Sequence, residues 1–216
     1  SFEFYFMHHW RMKYYTSWIL LSVALFWVSP ASAQVQDENF VPDFRHMKID
    51  NPAALTDSNA EAIYHQIQSE LAKTFARSEL PVVKEYNTWK RYNRAPYLSS
   101  THGDRYINNF ANDLAVRYDA LAKGYKMPAG AVFAKDGFAV TKDGDILPGR
   151  LFVMEKLAEG ASPGTGDWRY LAIESDGSLI GDSQHDAQNA LEFCHICHKV
   201  RSSRDFLFFV PPGYRN

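Results

Sequence analysis

The residues with the clearest chemistry are Cys194-His195-Ile196-Cys197-His198, a C-x-x-C-H run that uses both cysteines of the chain. That spacing is the attachment signature of c-type haem. Two thiolates three residues apart meet two vinyl arms, and the histidine directly after the second cysteine is placed to ligate iron. Cys194, Cys197 and His198 are therefore the candidate cofactor-holding residues, with one covalent haem c as cofactor and His198 as metal ligand. A redox C-x-x-C pair, half of a zinc site and a chance match are the competing readings. A structural zinc site takes four ligands, and the chain has no second cysteine pair to complete one. A thioredoxin-like pair follows an early strand of an α/β unit, whereas this run lies near the C-terminus. Neither methionine nor histidine follows His198. A sixth iron ligand must then come from the preceding chain, or the iron keeps an open position.

The elements that position this run change character along the chain. Gln34 to Thr56 is polar and holds Pro42 and Pro52, which reads as a tether. Ser58-x-x-Glu61 is a capping box, and Ile63, Tyr64, Ile67, Leu71 and Phe75 fall on one face of a helix running to about Arg77. Leu80 to Pro96 reads as a short helix or extended connector. Ser99 to Gly103 is a turn, Asp104 to Phe110 a strand, and Asn112-Asp113 caps a helix through Lys123. From Ala131 the pattern becomes strand-like: Ala131 to Val140, Arg150 to Leu157 and Trp168 to Glu174 are divided by Gly-rich turns. Asp186 to Lys199 is predicted as the helix carrying the cysteines, and Phe206 to Val210 as a last strand. The fold class expected is α+β, an antiparallel sheet with a few packed helices and a C-terminal haem-attachment helix.

The 216 residues carry a formal net charge of -2 and 15% aromatic residues, enough for a core and with no bias toward nucleic acid. Lys13, the apolar run Trp18 to Val28 and Pro30-Ala31-Ser32-Ala33 together form a secretory signal, with Met12 as its start and cleavage after Ala33. A membrane anchor is the alternative, but a span wants about 20 apolar residues. The division expected is 1–33 upstream residues and signal, 34–98 an extension with one helix, and 99–216 a haem domain. Export places the chain in the periplasm, which suits haem attachment and equally permits a Cys194–Cys197 disulfide.

Several stretches resemble the cytochrome P-460 family, which includes the β-sheet cytochromes c-prime of the c-prime-beta type. They are His102-Gly103-Asp104-Arg105-Tyr106-Ile107, Pro128 to Lys135, Gly166-Asp167-Trp168-Arg169-Tyr170, Cys194 to Lys199, and Asp205-Phe206-Leu207-Phe208. The resemblance implies an antiparallel sheet domain, commonly a homodimer, with one c-type haem open on one side. It implies either oxidation of hydroxylamine, with a lysine cross-linked to the porphyrin, or binding of gases such as nitric oxide under an apolar cap. A soluble redox partner would take the electrons. Lys135 matches the cross-linking lysine. Alternation independently places Lys135 on one strand face with Ala131 and Phe133, where it is either bonded or an ordinary strand-end lysine reaching water. Arg105 matches an arginine near the haem, or else faces solvent. Glu155 stands in the strand that carries a distal carboxylate in the hydroxylamine-oxidising enzymes, with Met154 or Phe152 as alternatives for that position. Lys135, Glu155 and Arg105 are thus the candidate catalytic residues. His65, His102 and His185 sit in surface-like or turn-like contexts and are not favoured as ligands, and an electron-transfer protein with Met127, Met154 or a histidine on iron is a third class.

Overall fold

The computed structural model describes residues 51–118, 124–185 and 190–216. The signal-like segment, most of the polar stretch after it, and positions 119–123 and 186–189, where parts of two predicted helices fall, lie outside the described residues.

Helix α1 spans Asp57–Phe75. Its N-cap is Thr56, whose hydroxyl accepts from the Asn59 N–H at 3.3 Å. The cap thus sits two residues before the predicted Ser58, and Glu61 is drawn away to a two-pronged pairing with Arg91, one prong at 2.8 Å. Tyr64, Leu71 and Phe75 are buried along the stripe read from the sequence. A four-residue helix α2, Pro81–Lys84, follows, with proline at the position where a missing N–H costs nothing.

Among the described residues eight strands form one antiparallel sheet. They are β1 Lys90–Arg91, β2 Tyr97–Ser99, β3 Arg105–Ala111, β4 Val132–Val140, β5 Ile146–Pro148, β6 Leu151–Lys156, β7 Trp168–Ile173 and β8 Leu179–Asp182. The order is β1-β3-β4-β6-β7-β8, with β2 paired on β3 and β5 on β4. β1 and the first two residues of β2 precede position 99 yet pair with β3, and α1 packs on the same sheet. The α+β class is as expected. Helix α3, Glu192–Lys199, carries the cysteines. Asp113–Ala115 is a single tight helical turn. Phe206 to Val210 forms no strand, against expectation: Asp205 and Phe206 have φ values of 52 and 64, so the backbone turns where an extended run was read.

Each strand face serves its own core. Val132, Ala134, Phe138 and Val140 of β4 pack with Leu151 and Val153 against α1. Ala131, Phe133, Met154 and Tyr170 face the other way, toward α3 and the C-terminal tail. No helix among the described residues is long and apolar enough to cross a membrane.

Candidate functional site

Helix α3 places Cys194, Cys197 and His198 at i, i+3 and i+4, which is one helical face. That face, with Phe193, closes one side of a cavity whose opposite wall is the strand face bearing Phe133, Lys135, Phe152 and Met154. The cavity has a volume of ≈ 220 Å³. Both cysteines are half-buried and not bonded to each other, and His198 is 9% exposed.

The polar groups in this space are few and perturbed. His198 Nδ1 lies 2.7 Å from the Phe206 carbonyl oxygen, so Nδ1 carries the proton and Nε2 keeps the lone pair. Burial, with Lys135 close by, pushes His198 down to about 4. Burial also lowers Lys135 to about 8, partly offset by the Cys197 and Cys194 thiols. The Cys194 thiol is pushed up to about 12 by burial and by Cys197. Tyr170 lines the same cavity, and its buried hydroxyl has no hydrogen-bond partner among the described residues.

Lys135 is brought to the cysteines and His198 as the alternation of β4 required. Glu155 is not. Lys135 pairs with Phe152 across the ladder, so Phe152 and Met154 take the cavity face of β6, and Glu155 turns to the other side. There its carboxylate accepts from Arg169 Nη1 at 2.9 Å, while Arg169 also grips Asp182. Arg105 stands at the outer end of β3 beside Gly149 and outside the cavity lining. Burial lowers its guanidinium, with Arg150 adding to the effect. His65 and His185 are exposed. His102, by contrast, lines the cavity: it ends a tight helical turn, Ser100–His102, with Nδ1 2.9 Å from Ser99 Oγ and its ring 5.4 Å from Phe152. Burial holds it well below its ordinary value, with Lys135 and His198 adding to the shift. Its turn was legible in the sequence; the fold of that turn into the cavity depends on β2–β3 pairing, which leaves no local signal. Tyr170 carried no more than its place in a strand.

The family model described as cytochrome P460 matches residues 83–209, more than half of the chain. The chain belongs to the cytochrome P460 family. No curated protein matches it. The match takes in β1 to β8 and α3, and it starts after α1. Membership in the family implies a haem cofactor. The cavity suits such a group on its own terms, since two thiols, a histidine with a free Nε2 lone pair and an unpartnered phenol converge on a largely apolar space.

Proposed function

We propose an exported, periplasmic mono-haem cytochrome that oxidises hydroxylamine or a related small nitrogen species and passes electrons to a soluble partner. Cys194 and Cys197 would hold the haem by thioethers, and His198 Nε2 would ligate its iron. When bound, the haem supplies an open iron position and the electron acceptor for the substrate's nitrogen. Lys135 is the observation that carries this reading, because its ammonium shares the cavity with both cysteines and His198. At about 8, Lys135 gives up its proton more readily than an ordinary lysine, and the free amine carries the lone pair that a link to the porphyrin would need.

Substrate protons need an acceptor, and among the described residues no carboxylate lines the cavity. His102 takes that role in place of Glu155. Burial favours its neutral ring, and the tautomer that donates from Nδ1 to Ser99 keeps an Nε2 lone pair able to accept a proton. Arg105 stays a candidate only through the β3 end it shares with the Ser99–Gly103 turn. A homodimer accords with the family resemblance.

The apolar pair Phe152 and Met154 favours a second reading, a non-enzymatic gas binder under an apolar cap. Two measurements on the purified protein separate the readings. Hydroxylamine-dependent reduction of the ferric form, with the Lys135 tryptic peptide travelling with the haem peptide, is expected for the enzyme. A free Lys135 peptide together with a five-coordinate ferrous form that takes up nitric oxide without turnover would overturn it.

A further inference from the structure

The residues behind His198 are held far more firmly than a surface tail requires. Asp205 and Phe206 occupy two consecutive left-handed backbone positions, φ 52 and 64, which side-chain-bearing residues avoid. Such a pair persists only where its surroundings over-determine it. The Asp205 carboxylate is buried and accepts from Lys156 Nζ at 2.6 Å and from the Met127 N–H at 2.7 Å. The Asp205 carbonyl accepts from the Trp168 indole N–H at 2.9 Å. Lys156 Nζ also donates to the Gly166 carbonyl at 2.9 Å and lies 4.8 Å from the Trp168 ring centre. Gly166 in turn leaves room for the Phe206 ring: a Cβ there would fall 2.1 Å from Phe206 Cε2. The product of all these contacts is one carbonyl, that of Phe206, aimed at His198 Nδ1 at 2.7 Å.

We propose that Asp205, clamped by Lys156 and Trp168, is the positioning residue that fixes the His198 imidazole for iron. The proposal rests on His198 being the iron ligand. The clamp acts through the backbone: it sets the Phe206 carbonyl, which fixes the ring's tautomer and rotation and makes Nε2 the stronger donor. Lys156 reaches this point from β6, on the strand whose Phe152 and Met154 face the cavity, so the cavity wall and the histidine are tied by one buried ion pair.

The test is the iron–imidazole stretching band of the ferrous haem protein in resonance Raman, with the reduction potential as second readout. The unaltered protein is expected to give a single band at the high-frequency end, as a hydrogen-bonded imidazole does; a frequency typical of an unbonded imidazole overturns the proposal with no variant needed. Asp205→Asn removes the ion pair but keeps an acceptor for Met127. Gly166→Ala keeps the ion pair and pushes on the Phe206 ring. In both, the band is expected to drop and broaden and the potential to rise. Gly166→Ala changes no charge, so its potential shift reports the hydrogen bond alone. If Asp205→Asn does not fold, Gly166→Ala decides. A band that vanishes in His198→Gly yet stays put in these folded variants sinks the clamp and leaves the ligand standing. A band that survives in His198→Gly removes the ligand reading itself, and the clamp with it.

Discussion

Lys135 and Asp136 are neighbours on β4, and they face opposite sides of the sheet into opposite circumstances. Asp136 is fully buried beneath α1, and its carboxylate accepts from Tyr64 Oη at 2.7 Å, Tyr86 Oη at 3.0 Å and Asn108 Nδ2 at 3.1 Å. Those donors come from α1, the turn after α2, and β3, so one carboxylate stitches three elements to β4. Lys135 points into open space between the strand wall and α3. The first face has spent its polar groups on each other and is built to stay shut. The second face has kept its polar groups apart, few and perturbed, as a binding site needs. The contrast gives α1 a role as well: it is the lid on the closed face.

The largest expected difference between the faces is in packing. Phe75→Ala, at a fully buried site under α1, is expected to cost about 3–5 kcal/mol in urea unfolding. Phe152→Ala, at the half-buried cavity wall, is expected to cost about 1 kcal/mol. Equal losses would erase the distinction. Next in size is the carboxylate stitch: Tyr64→Phe is expected to lose about 1.5–3 kcal/mol, the range for a hydrogen bond to a charged acceptor. A loss near zero would mean that Asp136 is held without α1.

Of opposite sign on the two faces is the dependence on pH. Burial raises Asp136 above 3.8, so the folded chain binds the extra proton and stability falls as pH rises through that raised value. Burial lowers Lys135 from 10.5 to about 8, so the unfolded chain binds the extra proton and stability rises with pH across that window. Melting of the haem-free chain against Asp136→Asn and Lys135→Met should show slopes of opposite sign, each confined to its own window. The Lys135 slope should vanish in the haem-loaded protein if that lysine is bonded to the porphyrin. The smallest effect is expected at Glu155, whose partly exposed pairing with Arg169 is worth less than about 1 kcal/mol. Glu155→Gln should leave hydroxylamine turnover unchanged, and a large loss would put a carboxylate back in the mechanism.

What the sequence carried and what it hid follow from range. The C-x-x-C-H run and the alternation around Lys135 are local patterns, and both survive into the structure. The long strands β3, β4, β6 and β7 showed through their periodicity, but β1, β2, β5 and β8 have two to four residues and no period to read. Glu155 needed a register: its strand was legible, but one residue of parity decides which face it takes, and that is set by pairing with β4. His102 and Asp205 were hidden for another reason. Each gets its place from partners 50 or so residues away or from a backbone shape that aspartate and phenylalanine rarely adopt.

Among the described residues every strand lies between Lys90 and Asp182, and α3 with its following tail comes afterwards in the chain. The cavity is therefore a seam between an earlier and a later stretch of one polypeptide, pinned at the far end by Asn216 Nδ2 on the Arg91 carbonyl at 2.9 Å. A group held by Cys194 and Cys197 and seated against Phe133 and Met154 would tie those two stretches together across the seam.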